Sequence, residues 1–147
     1  MVEGSFYSEN EEVANFGNGI FLYVKREDLI HPIISGNKFR KLKFNLLEAG
    51  KQEKTGILTF GGAFSNHIPA VAAAGNDAGL KTIGFIRGEE LGKDLNETLM
   101  QNPTLKFSAE KGMQLKFVSR EEFRKKNDLN FIKELQQKFP GYFIIPE

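Results

Sequence analysis

A lysine at position 38 lies in a pattern that favours amine chemistry. The turn Ser35-Gly36-Asn37 precedes an apolar periodic segment, so Lys38 is predicted to lie in the first turn of a helix. The positive end of the helix dipole and the nearby Arg40 and Lys41 disfavour the ammonium form of that lysine. A neutral lysine amine is a nucleophile that can form a Schiff base. The charge pattern alone also fits an ordinary solvated lysine beside a basic turn.

A glycine-containing turn from Gly61 to His67 is the second candidate site. The paired glycines allow close approach to the backbone, and the N-terminus of the next helix offers N–H groups to an anion. Ser65 and Asn66 can cap that helix or donate to a ligand. The spacing is neither a dinucleotide G-x-G-x-x-G nor a phosphate-loop G-x-x-x-x-G-K-[ST], and Ser65 lacks the G-x-S-x-G context of a hydrolase nucleophile. A plain glycine turn with a capping Ser or Asn explains the segment equally well.

The elements that would position both segments alternate between strands and helices. From residue 55 onward the predicted order is βαβαβαβ, which indicates an α/β fold with a parallel sheet flanked by helices. Ligands of such sheets bind beyond the carboxyl ends of the strands, where the Gly61–His67 turn lies. Strands are predicted at 20–25, 57–60, 82–86, 115–118 and 142–145, and helices at 37–49, 66–78, 94–111 (with a break at Pro103) and 119–139, the last opened by a Ser119/Glu122 capping box.

The first 50 residues do not extend this unit. One strand and one helix precede a polar joint at residues 50–55, and we expect them to belong to a different sheet. The predicted boundary therefore divides the chain into 1–50 and 51–147. Because the sequence stops directly after a predicted strand, we expect a fragment, with an exposed apolar face on the first helix at Phe39, Leu42 and Leu46 that invites self-association.

Composition excludes several classes of function. Twenty basic and 19 acidic residues give a net charge of +1, which offers no electrostatic reason to expect a nucleic-acid partner. The absence of cysteine excludes disulfides, thiolate metal sites and a cysteine nucleophile, and two histidines make a histidine-rich metal site remote. No apolar run approaches the ~20 residues of a membrane span, so no membrane partner is expected. The polar N-terminus lacks signal-peptide features, which predicts a cytoplasmic protein.

Two motifs in order carry a family resemblance. The segments Lys25-Arg26-Glu27-Asp28…Ser35-Gly36-Asn37-Lys38-Phe39-Arg40-Lys41-Leu42 and Gly61-Gly62-Ala63-Phe64-Ser65-Asn66-His67 resemble the pyridoxal-phosphate enzymes of the 1-aminocyclopropane-1-carboxylate deaminase and D-cysteine desulfhydrase family. That family has the tryptophan-synthase-β-like fold. Residues 81–90 and 142–147 also fit, so the resemblance covers nearly the whole chain. It implies the N-terminal half of such an enzyme, with 1–50 a piece of the large cofactor domain and 51–147 a nearly complete small domain.

The resemblance also implies a role for each motif residue. Lys38 would form the Schiff base with pyridoxal 5'-phosphate and move a proton at the substrate carbon. Lys41 would help to neutralise the cofactor phosphate, and Asn66 would hydrogen-bond the pyridine 3-oxygen and contribute to the substrate site. Ser65, together with His67, would hold the substrate carboxylate, and Ser65 would take part in the reaction.

The implied activity is conversion of a small amino acid to a 2-oxo acid and ammonia. The substrate would be 1-aminocyclopropane-1-carboxylate or D-cysteine, and the sequence leaves that choice open. The full enzyme is expected to be a homodimer and the 147-residue chain alone to be inactive. The alternative is a non-catalytic βαβ module that binds an anion at residues 61–66, or an inactive remnant.

Overall fold

The computed structural model describes residues 7–146 except 32 and 35, and it contains two separate sheets. A two-stranded antiparallel ribbon is followed by a four-stranded sheet in the order β5-β4-β3-β6, in which every neighbouring pair is parallel. The predicted α/β class with a parallel sheet is therefore confirmed. The strands are β1 (Asn10–Gly17), β2 (Ile20–Lys25), β3 (Gly56–Gly62), β4 (Lys81–Arg87), β5 (Met113–Val118) and β6 (Tyr142–Ile145), and the helices are α1 (Asn37–Lys51), α2 (His67–Asp77), α3 (Leu95–Gln101), α4 (Pro103–Glu110), α5 (Arg120–Arg124) and α6 (Leu129–Lys138).

The central strands β3 and β4 are buried because helices cover both faces of the sheet. On one face, Ile57 and Ile86 join a cluster with the buried residues of α1, α2 and α4. On the other face, Phe60 and Phe85 pack with Phe123 and the residues of α6. Successive side chains of a strand point to opposite faces, which explains why near-continuous apolar runs serve both clusters.

Helix α2 lies unusually close to the sheet because its residues are small. A Cβ atom added at Gly75 would lie 2.2 Å from the Thr82 side chain, and one added at Gly61 would lie 2.6 Å from the Ile68 side chain. Five of the eleven α2 residues are alanine or glycine. Glycine is therefore required at these two positions, because any larger residue would clash with the neighbouring element. These close contacts set the distance between α2 and the sheet.

Helix boundaries follow capping side chains, and two predicted boundaries are wrong. The predicted break at Pro103 is confirmed, since Asn102 caps the helix that begins there. Ser119 accepts a hydrogen bond from Glu122 N at 3.1 Å, as predicted, but the expected continuous helix to 139 is interrupted. A 3-10 turn spans Lys125–Asn127, and Asp128 caps a new helix by accepting from two backbone N–H groups. Gly50 does not end α1, which continues to Lys51.

The two-stranded ribbon is the part of the fold that the sequence predicted least completely. Strand β2 was predicted, and its place in a different sheet is confirmed, but its partner β1 was not predicted. Helix α1 also differs from expectation: Leu42 is only 1% exposed and packs with Phe39 and Leu46 toward α2, so the expected bare face is wrong. The exposed apolar side chains of α1 are instead Phe44, at 70%, and Leu47.

Ser35 and Glu147, which belong to the quoted motifs, lie outside the described residues. The boundary at residue 50 stays a prediction. None of the helices in the described ranges has the length and apolar character needed to cross a bilayer.

Candidate functional site

The Gly61–His67 turn joins the carboxyl end of β3 to α2, at the edge where α/β proteins bind ligands. Ser65 N donates to Gly62 O at 3.0 Å, and His67 N donates to the Ser65 hydroxyl at 3.3 Å. Asn66 occupies the N-cap position with helical dihedral angles, and its exposed side chain forms no cap hydrogen bond. Of the two candidate caps, Ser65 is the one whose hydroxyl accepts from the first N–H of α2, and Asn66 forms no cap hydrogen bond.

Asn102 holds this turn in place from the other side of α2. Its Nδ2 donates to Ala63 O at 3.0 Å, and its Oδ1 accepts from Leu105 N at 2.9 Å. The Asn102 side chain is 4% exposed, so both hydrogen bonds are shielded from water. Sequence reasoning missed this residue. The Asn102-Pro103 pair is a recognisable helix start, but a bond to a carbonyl 39 residues away has no local signal.

The His67 ring is directed toward the sheet by Thr59. Its Nε2 lies 2.8 Å from the Thr59 hydroxyl oxygen. The same hydroxyl donates to Ile145 O at 2.8 Å. Thr59 is fully buried in β3. This contact connects the first residue of α2 to two neighbouring strands, and nothing in the sequence distinguishes Thr59 from other strand threonines. The proposed contact of His67 with a substrate carboxylate stays a prediction.

Lys38 lies in the first turn of α1, as predicted. The helix follows Gly36, which has φ +59° and no side-chain cap bond. Lys38 is half-buried, Lys41 is exposed, and within the described ranges neither side chain forms a hydrogen bond or an ion pair. The three-residue spacing of the two lysines places them on one side of the helix.

Glu27, in the first motif, contacts the start of α1. Glu27 O accepts from Gly36 N at 3.0 Å, and the Glu27 carboxylate accepts from Arg40 Nε at 2.8 Å and from the Ser8 hydroxyl at 2.7 Å. Arg40, and then Ser8, lower the pKa of Glu27 from 4.5 to about 2. Glu27 therefore offsets the charge of Arg40, one of the two cations near Lys38 in the sequence.

The structure thus brings the predicted residues together in two groups. Ser65, Asn66 and His67 form one continuous turn, while Lys38 and Lys41 lie on α1, which packs against α2.

Arg87 adds a cation at the same sheet edge. It is the last residue of β4, directly opposite Gly62 in the parallel register. One guanidinium nitrogen lies 3.7 Å from the place that a Gly62 Cβ would occupy, and the guanidinium carbon lies 5.6 Å from the centre of the Phe123 ring. The structure therefore places this arginine beside the glycine turn.

Comparisons with known proteins find relatives by sequence and by structure. No protein-family model matches the chain. A protein of Thermotoga maritima provisionally named 1-aminocyclopropane-1-carboxylate deaminase is 37% identical over 131 residues, which are 88% of this chain and 39% of the relative. The bifunctional mitochondrial D-cysteine desulfhydrase/1-aminocyclopropane-1-carboxylate deaminase of Arabidopsis thaliana is 35% identical over 72% of this chain and 26% of its own length.

A solved structure also matches the chain in fold. The crystal structure of an ACC deaminase homologue matches 95% of this chain and 42% of its own chain, with a TM-score of 0.66 and 25% identity. The chain is a relative of the 1-aminocyclopropane-1-carboxylate deaminase and D-cysteine desulfhydrase family. The resemblance stated from the two motifs is therefore confirmed. The chain spans about two fifths of the Thermotoga protein and of the solved homologue, and about a quarter of the Arabidopsis protein.

Proposed function

We propose that the chain carries the amino-terminal part of a pyridoxal-phosphate-dependent deaminase or desulfhydrase site. The observation that supports this most directly is the pair of segments on packed helices: Lys38 at the start of α1 and Ser65-Asn66-His67 at the start of α2. Both segments lie in a chain that matches family members along most of its length. The substrate is a small amino acid, 1-aminocyclopropane-1-carboxylate or D-cysteine, and the products are a 2-oxo acid and ammonia.

The described residues fit the chemical groups of pyridoxal phosphate. An aldehyde requires an amine, and Lys38 and Lys41 form no competing side-chain ion pair within the described part of the chain. An anionic, aromatic ligand requires N–H donors and room near the backbone. The exposed Asn66 amide and the Arg87 guanidinium offer N–H donors. Gly62 leaves space beside that guanidinium, whose nearest nitrogen would lie 3.7 Å from an added Cβ.

Each predicted residue has a distinct task in this proposal. Lys38 binds the cofactor through its amine and moves a proton at the substrate carbon, while Lys41 neutralises phosphate charge. Asn66 holds the pyridine 3-oxygen, and the Ser65–His67 turn orients the substrate carboxylate. The cofactor, when bound, supplies the electron sink for the reaction at the substrate carbon. In the full enzyme we expect a second subunit, and we expect the 147-residue chain alone to release no ammonia from either substrate.

Chemical trapping tests the lysine assignment without requiring turnover. The chain is incubated with pyridoxal phosphate, reduced with borohydride, and mapped by peptide mass spectrometry. We expect label mainly on Lys38, loss of that label in Lys38→Ala, and unchanged labelling in Lys43→Ala, which removes an exposed lysine from the same helix. Equal labelling of Lys43 and Lys38 would contradict the proposal.

The anion-binding alternative predicts a different pattern. A module of that kind would bind inorganic phosphate in calorimetry, with no lysine labelled above the background of exposed lysines. Replacing Asn66 by Ala would weaken cofactor binding under our proposal, because the pyridine oxygen loses a donor. A variant that binds pyridoxal phosphate as tightly as the unmodified chain would remove Asn66 from the site.

A further inference from the structure

The contacts of Thr59 define which nitrogen of His67 carries a proton. The Thr59 hydroxyl is fully buried and lies 2.8 Å from both Ile145 O and His67 Nε2. A carbonyl oxygen only accepts, so the single hydroxyl proton must be directed toward Ile145 O. The proton in the second contact must then come from His67 Nε2.

The other neutral form of the ring cannot satisfy both contacts. With the proton on Nδ1, the Nε2 lone pair and the Ile145 carbonyl would compete for one hydroxyl proton, and one buried acceptor would lose its partner. An unsatisfied buried acceptor is unfavourable, and buried side-chain nitrogen and oxygen atoms in the described residues all have partners. The strand register supports the same arrangement, because Thr59 pairs directly with Ile145.

We propose that Thr59 is a positioning residue that holds His67 in its Nε2–H form and aims the ring from the sheet. In that form the neutral ring carries its lone pair on Nδ1. It follows, if the proposed function of the turn is correct, that His67 donates to a substrate carboxylate from Nδ1 only as a cation. The neutral ring would instead accept a hydrogen bond at Nδ1 from a donor group of the ligand.

Nitrogen NMR of the imidazole rings tests the protonation pattern in the intact chain. The chain has only two histidines, and the other one provides an internal reference. His31 Nδ1 accepts from Ile33 N at 3.1 Å and from Ile34 N at 2.9 Å, so its neutral ring must also be protonated at Nε2. At about pH 9, where an ordinary histidine is neutral, we expect both rings in the Nε2–H form. An Nδ1–H signal for His67 in the unmodified chain would overturn the proposal.

Variants of Thr59 test the positioning role. Thr59→Val removes the acceptor with little change of shape, so we expect the His67 Nε2–H proton to exchange with water about tenfold faster, as for the loss of one hydrogen bond. Thr59→Ser should restore slow exchange, and Thr82→Val, a buried threonine on the neighbouring strand, should leave it unchanged. Unchanged exchange in Thr59→Val would overturn the role of Thr59.

This experiment is independent of the proposed function. It needs neither cofactor nor turnover, so a correct His67 signature with no labelling of Lys38 would reject the enzyme assignment and keep the positioning role. If Thr59→Val does not fold, the protonation state of the unmodified chain still decides whether His67 is held in its Nε2–H form.

Discussion

Strands β2 and β3 both carry large apolar side chains but have opposite surroundings. All six residues of β2, Ile20-Phe21-Leu22-Tyr23-Val24-Lys25, are exposed, whereas β3 is buried along six of its seven residues. The difference arises because α1, α2, α4, α5 and α6 cover the four-stranded sheet, while no helix within the described ranges forms a layer on the two-stranded ribbon. An apolar strand is therefore buried by the layers that its neighbours supply, and its own composition does not decide the outcome.

The two regions are also held together by different forces. The α/β unit depends on apolar contact, including the ring of Phe60 against Phe85, Phe123 and Phe131. The link between the ribbon and α1 depends on hydrogen bonds, in which the Glu27 carboxylate accepts from Arg40 and Ser8. We expect the first region to be sensitive to lost volume and the second to be sensitive to charge and pH.

The largest expected effect is a difference in the free energy of unfolding between alanine substitutions of two phenylalanines. Phe60→Ala should lower the free energy of unfolding by about 3–5 kcal/mol, because the side chain is 1% exposed and its removal leaves a cavity. Phe21→Ala on β2 should change it by less than about 0.5 kcal/mol, since that side chain is 47% exposed. Urea denaturation of both variants measures the difference. Equal losses would mean that the ribbon is covered in solution.

A smaller difference in stability is expected between alanine substitutions of two helical glycines. Gly75→Ala in α2 should destabilise the chain by about 1–3 kcal/mol, because the new Cβ would lie 2.2 Å from the Thr82 Cγ2. Gly50→Ala in α1 should stabilise it by about 0.5–1 kcal/mol, since no atom lies within 4 Å of the new Cβ. Thermal denaturation compares them. Adding Thr82→Ser, which removes the clashing methyl group, should recover part of the loss, and no recovery would place the strain elsewhere.

The smallest effect concerns the polar tie at Glu27. Its pKa is lowered from 4.5 to about 2, so the ionised carboxylate contributes stability that is present above pH 4.5 and is lost as the pH falls through about 2. The unmodified chain should therefore exceed Glu27→Gln in stability at about pH 6, and the gap should narrow toward pH 2. Denaturation midpoints of both proteins across this range measure the gap. A gap independent of pH would show that the ion pair with Arg40 contributes nothing.

The sequence predicted those features that depend on local pattern. Apolar periodicity located β2 through β6, and short-range chemistry located the start of α4 at Pro103 and the Ser119 cap. It failed where local signals were ambiguous. The charged residues from 120 to 138 are equally compatible with one helix or two, and the Asp128 cap that separates them lies within a polar run. Strand β1 carries several polar residues, so its pairing with β2 has no strong apolar signature.

For the candidate site, the sequence by itself determined the turn and the position of Lys38, because both depend on residues within a few positions of each other. Only the tertiary structure showed that Asn102 holds the Ala63 carbonyl and that Thr59 connects His67 to Ile145. Those bonds join residues up to 86 positions apart. The physical reason is that strand pairing and helix packing, which are long-range, bring these groups together, whereas periodicity and capping act within a single turn of the chain.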